Sequence, residues 1–291
     1  MSFDRARADF LGNLIVEHIE PIQWNTKAFE RLVLKKEAKE LVQALVTVHI
    51  SNQKSTDIIE GKGNGLIILL HGSPGTGKTL TAESVAELAQ KPLYRVTSGD
   101  IGTDAEAVEA NLESVLYIGR IWGCVVLIDE ADIFLESRSL MDLQRNVLVS
   151  VFLRVLEYHE GILILTSNRV GVFDEAFKSR IQLALHYKPL EKADRRKVWR
   201  NFFKTLENTK GEADFDDLDD HLDDLADFEM NGRQIRNALS TATELAKFRK
   251  EELNFEHLKH VIKIAREFDD YLTRTHGHSD DEWAREERVR A

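Results

Sequence analysis

The sequence predicts an α/β chain: a parallel sheet of five strands covered by helices on both faces, followed by a small all-helical domain. Five short apolar runs carry the first part: "LIILLHG", "PLYRVT", "CVVLIDE", "GILILTSN" and "IQLALHY", between residues 66 and 187. Stretches of helical period separate them. Parallel strands need such crossovers and are buried on both faces, so they read as continuous apolar runs. After Pro189 no such run recurs, and only helical periodicity remains to about Leu272.

Taken in order, residues 1–34 form an N-terminal segment of mixed character, and "KKEAKELVQALVTVH" (35–49) predicts a helix with Leu41, Val42, Leu45 and Val48 on one face. "SNQKSTDIIEGKGNG" is a polar connector to the first strand. A helix over Thr79–Gln90 follows that strand, another ends near Gly119, and a long helical stretch ends near Tyr158. The α/β domain is set at 35–188 and the helical domain at 189–272. In the latter, Ile235, Ala238, Leu239, Ala242, Leu245 and Ala246 form one stripe, and Phe255, Leu258, Val261, Ile262, Ala265 and Phe268 a second. "DFDDLDDHLDDLADFE" (214–229) reads as an amphipathic helix with a solvated acidic outer face; a docking face for a basic partner is the sharper alternative. The tail, 273–291, is polar and expected to be mobile, with His276 and His278 solvated.

Composition excludes several classes. Fifty acidic against thirty-nine basic residues leave a net charge of −11, which argues against broad binding to a nucleic-acid backbone. Cys124 is the only cysteine, so no intrachain disulfide forms, and its apolar neighbours predict a buried, inert thiol. An intracellular, reducing compartment fits, whether cytoplasm or nucleus. No apolar run is long enough to span a bilayer, and no signal core opens the chain. The abrupt start at Met1 leaves room for flanking domains.

The chemistry concentrates at the strand ends. "GSPGTGKT" fits G-x-x-x-x-G-K-[ST] at every position, after an apolar strand and before a helix. Gly72, Ser73, Pro74, Gly75, Thr76 and Gly77 make a loop whose backbone N–H groups can turn inward on phosphate oxygens. The helix that starts at Thr79 and Leu80, directly after Lys78, adds its positive dipole end. Lys78 supplies a charge to the β- and γ-phosphates, and the Thr79 hydroxyl a ligand for Mg²⁺. An ordinary glycine turn does not explain Lys78–Thr79 in register. Asp129, ending the buried run "VVLID", is placed for the Mg²⁺ shell, and Glu130 to deprotonate an attacking water. Helix capping is the competing reading for these acids, and Asp132 is expected to be a cap or support residue. Asn168, at the tip of "ILILTSN", can hold that water.

With these segments in order ahead of a helical appendage, the chain resembles an AAA ATPase over residues 29–270. "GSPGTGKT" is similar to the family's Walker A, "VVLIDE" to Walker B and "TSN" to sensor 1. "FDEAFKSRI" resembles the arginine-finger segment and "NGRQIRNAL" the sensor 2 helix. The nearest resemblance, through "DIIEGKGNGLIILLHG" and "FDEAFKSRIQLALHY", is to fungal AAA-type ATPases. It implies a core in which the Asn168 strand lies between the Walker strands. It implies binding of ATP or ADP with Mg²⁺, and a homo-oligomeric ring, usually hexameric, that hydrolyses ATP at its interfaces to remodel a protein or complex. Arg180 would then reach the γ-phosphate of the next subunit, whereas read alone it is a cation at a helix end. Arg233 matches sensor 2 better than Arg236, and "FERLVL" (29–34) with the lid would build the adenine pocket.

Two departures stand out. Protein-threading members carry a pore aromatic in the segment that matches residues 98–112, and none is present here. Only one arginine, Arg180, stands where many relatives have two. A nucleotide-gated scaffold with slow or no hydrolysis is therefore the alternative. "DEAD" (129–132) matches RNA helicases at four residues only.

Overall fold

A computed structural model describes residues 22–51, 65–102, 104–135, 143–169, 173–209 and 211–276. Most of the predicted N-terminal segment, the connector before the first strand, and His278 lie outside the described residues. Cα packing divides the chain into two units: residues 1–71 with 78–186, and residues 72–77 with 187–291.

The first unit contains α1 (Lys27–Glu30), α2 (Lys36–Ser51), β1 (Leu66–Gly72), α3 (Lys78–Ala89), β2 (Leu93–Thr97), α4 (Ser98–Ile101) and α5 (Ala105–Ile121). β3 (Val125–Asp129), α6 (Asp132–Leu135), α7 (Leu143–Glu157), β4 (Ile162–Ser167), α8 (Glu175–Lys178) and β5 (Leu183–Tyr187) follow. The strands form one parallel sheet in the order β2-β3-β4-β1-β5. β4, the Asn168 strand, thus lies between β1 and β3, as the resemblance implies. Every residue of β3 and β4 is buried, whereas β2 and β5, at the margins, are only partly so. That difference follows from composition, because a continuous Val/Ile/Leu run suits a strand covered on both faces. Helices α5, α6 and α7 bury Leu112, Phe134 and Phe152 in the core beside the sheet, and Phe134 and Phe152 stack at 5.1 Å.

Two expectations change here. On α2 the buried pair is Val42 and Val46, while Leu41 and Val48 are exposed. One i,i+4 seam suffices to hold this helix, so the apolar face is narrower than the periodicity suggests. Cys124 is only partly buried, and burial pushes its thiol up from its ordinary value.

The second unit is helical: α9 (Lys192–Asn208), α10 (Phe215–Asp220), α11 (Leu222–Asp227), α12 (Gly232–Arg249) and α13 (Phe255–His276). Its core gathers Trp199, Phe203, Leu218, Leu225, Ile235 and Leu258. The second predicted stripe holds at Phe255, Leu258 and Ile262, but Ala265 is exposed. The acidic stretch is two six-residue helices broken at His221. His221 stacks on Phe255 at 4.2 Å, and Asp217 accepts from the Phe255 N–H at 2.7 Å. Anchoring the break to α13 accounts for the loss of a continuous helix. The acids are not all free for a partner, since Asp223 pairs with Arg196 at 3.0 Å and Asp227 pairs with Lys192.

Candidate active site

The loop after β1 belongs to the second unit as far as Gly77. Gly75 adopts φ 73°, and a Cβ there would stand 2.5 Å from Asn231 Oδ1. Gly72 adopts φ 137°, with a Cβ position 2.1 Å from Tyr187 O. Both positions therefore exclude any side chain. Thr76 Oγ1 donates to Ser73 O at 2.7 Å and tightens the turn. Beside Gly77 the Cβ direction is open space. The Gly75 carbonyl accepts from Gly232 N at 2.8 Å, at the first residue of α12. Asn231 caps that helix reciprocally with Gln234. Arg233 and Arg236 follow, both exposed.

In the first unit, α3 starts at Lys78, which is buried, and the Thr79 hydroxyl lies 3.3 Å from Asp129 Oδ1. Leu80 points outward, 55% exposed. Asp129 is buried at the C-terminal end of β3. Its Oδ1 accepts from Thr166 Oγ1 at 2.5 Å, and its Oδ2 from Arg95 Nη2 at 2.6 Å. Thr166 Oγ1 in turn accepts from Glu130 N at 2.9 Å, and the Thr166 carbonyl accepts from Ala131 N at 2.8 Å. One β4 threonine therefore holds three consecutive residues of the β3 tip. Glu130 is exposed and sits at φ 57°, a left-handed conformation that costs free energy in any residue with a side chain. The two Thr166 contacts flanking it oppose that cost.

Asp132 Oδ1 accepts from Ser167 Oγ at 2.5 Å and from Asn168 N at 3.0 Å, so it fixes the β4 tip from the β3 side. Asn168 is half-buried. Sequence reading missed Thr166 and Arg95. Thr166 stood in "TSN" with no role of its own beside Asn168, and Arg95 lay inside "PLYRVT" with no motif around it.

His71, the last residue before Gly72, stacks on His186 at 5.0 Å. Burial, then His186, then Lys78 lower its pKa to about 4, so it is neutral at pH 7. Arg180 donates from Nη1 to Ala176 O at 2.9 Å and lies 3.4 Å from Glu157 through Nη2. Within this chain it is the helix-end cation of the simpler reading.

These groups suit a magnesium–phosphate ligand. Mg²⁺ prefers hard oxygen donors and takes only one or two from protein when phosphates and water supply the rest. Thr79 and Asp129 are such a pair, and among the described residues no His/Cys/Asp/Glu group of three could form an all-protein cage.

Loop, sheet order and strand-tip acids define a P-loop nucleotide-binding fold. Two family models match the chain: AAA, "ATPase family associated with various cellular activities", over residues 68–188, and the fungal AAA+ ATPase lid domain over 190–279. The chain belongs to the AAA ATPase family. It is 31% identical over 153 residues to ATPase family AAA domain-containing protein 3B of Homo sapiens, covering 49% of this chain and 23% of that protein. Identity to the Drosophila melanogaster ATPase family AAA domain-containing protein 3A homolog is 27% over 190 residues, covering 61% of this chain and 30% of that protein. A putative 26S proteasome regulatory subunit homolog of Methanothermobacter thermautotrophicus is 26% identical over 208 residues, covering 67% and 54%. The chain therefore spans between 23% and 54% of the length of these curated relatives. No helix among the described residues is long and apolar enough to cross a membrane.

Proposed function

We propose that this chain binds Mg²⁺-ATP and hydrolyses it at the interfaces of a homo-oligomeric ring, using the energy to remodel a protein or complex. The cluster Thr79–Asp129–Thr166–Glu130 carries this reading. The Thr166 hydroxyl and the Asp129 carboxylate are held in register by buried strands, Thr79 meets them from the first turn of α3, and the second carboxylate, Glu130, stands at the strand tip. The loop Gly72–Gly77 and Lys78 bind the phosphates, and Thr79 and Asp129 hold the metal shell. Mg²⁺ held there would draw charge from the phosphate oxygens. Glu130 takes the proton of the attacking water, and Asn168 orients that water. Arg233, at the start of α12, contacts the nucleotide of its own subunit. Arg180 leaves Glu157 and Ala176 on assembly and neutralises charge on the phosphates of the adjacent subunit. A bond of 3.4 Å to a part-exposed partner is weak enough to be exchanged.

One observation favours the scaffold reading instead. Ile101 is fully buried, so the segment 98–102 offers no apolar side chain there to grip a threaded peptide. Steady-state phosphate release across protein concentration separates the two. Turnover per chain that rises with concentration supports hydrolysis at interfaces. Undetectable turnover at every concentration, with ATP bound, supports the scaffold.

A further inference from the structure

Asp129 has a partner that the family motifs do not supply. Arg95 stands on β2, the marginal strand, and pairs in register with Leu127 of β3, two residues before Asp129. Paired residues of parallel strands project to the same face, so Arg95 and Asp129 share a face. Its guanidinium closes on Asp129 Oδ2 at 2.6 Å, shorter than either Thr79 contact, at 3.3 and 3.4 Å. The pair is asymmetric: the Asp129 side chain is 8% exposed and the Arg95 side chain 45%. Asp129 is held by Thr166, whereas Asp129 is the only hydrogen-bonding partner of the Arg95 guanidinium among the described residues. The carboxylate is fixed and its counter-ion is not.

We propose that Arg95 is a built-in competitor for the metal position: it neutralises Asp129 when no cation is bound, and Mg²⁺-nucleotide must displace it. This rests on the reading of Thr79 and Asp129 as the metal-shell residues. A buried carboxylate without a counter-charge is costly, so Asp129 needs a cation beside it. A guanidinium beside a divalent ion is repelled, and a half-exposed arginine on a marginal strand can move into water at small cost. Arg95 is therefore a positioning residue, which sets how much Mg²⁺ the site requires.

The test is a Mg²⁺ titration of the full chain at fixed fluorescent ADP, read as nucleotide binding, for the wild type, Arg95→Met and Arg95→Lys. Removing a half-exposed competitor should lower the Mg²⁺ midpoint about two- to fivefold in Arg95→Met. Arg95→Lys should stay near the wild type, and affinity for ADP without Mg²⁺ should not fall in either. Thermal melting without nucleotide reports folding, and Arg95→Lys keeps the charge if Arg95→Met proves too unstable. In that case Arg95→Gln, which keeps polar bulk and loses the charge, takes its place in the same titration. A Mg²⁺ midpoint below that of the wild type supports competition, and one that is unchanged or higher overturns it. An unchanged or higher midpoint in folded Arg95→Met overturns the proposal while leaving the metal site in place. Mg²⁺-independent ADP binding by the wild type overturns the metal-site reading itself.

Discussion

The centre and the margins of the sheet hold their polar groups in different ways. At the centre, the tips of β3 and β4 carry Asp129, Glu130, Thr166 and Asn168, fixed by hydrogen bonds that run between the two strands. At the margins, Arg95 on β2 and Arg180 just ahead of β5 are long cations on part-exposed stems, each bound to one carboxylate. A buried polar group with several partners is expensive to move, whereas an ion pair that is part-exposed on both sides, such as Arg180–Glu157, contributes about 0–1 kcal/mol. The centre therefore defines geometry, and the margins supply charge that can be reassigned.

Four experiments probe that division. The largest effect is expected at a margin. Arg180→Ala should lower turnover by about 10³-fold or more if its target lies in another subunit. Arg180→Ala and Lys78→Ala chains, each nearly inactive, should recover turnover when mixed. No recovery in assemblies shown to contain both would return Arg180 to capping α8. At the centre, Glu130→Gln should lower turnover by about 10²–10⁴-fold while nucleotide binding is kept, as judged by phosphate release beside a binding titration. Normal turnover in that variant would remove Glu130 from the chemistry.

The other end of β4 supplies a pH test of central rigidity. Burial, with His49 second, lowers the pKa of His159 to about 4, and the residue is 4% exposed. The unfolded chain takes up the proton first, so this contribution is complete above about pH 6.5 and is lost as pH falls toward 4. It is on the order of 3 kcal/mol, and His159→Leu should flatten that acid limb in melting curves. Thr166→Val keeps the shape of the strand but removes one of the Asp129 hydrogen bonds and the acceptor of the Glu130 N–H. A loss of about 1–3 kcal/mol in denaturant unfolding is expected. An unchanged unfolding midpoint would show that the central network is dispensable.

Much of the architecture was legible because it rests on local signals. Continuous apolar runs marked β1, β3 and β4, and glycine spacing marked the loop that ends at Lys78. Asp132 was readable as a support residue, although its target, the Asn168 N–H, was not. The failures share a cause. The split at His221, the narrow seam of α2 and the exposure of Ala265 depend on what each helix packs against, which periodicity does not contain.

By itself, the sequence determined the elements, their α/β-then-helical order and the residue types gathered at the strand tips. These follow from hydrophobic period and from the chemistry that a loop of this spacing can perform. Only the tertiary structure decided that Thr166 joins Asp129 to the Glu130 backbone. The same holds for Arg95, which occupies the Asp129 carboxylate from a neighbouring strand 34 residues earlier. Such contacts are set by strand order and register, and two residues far apart in the chain carry no local mark of sharing a face.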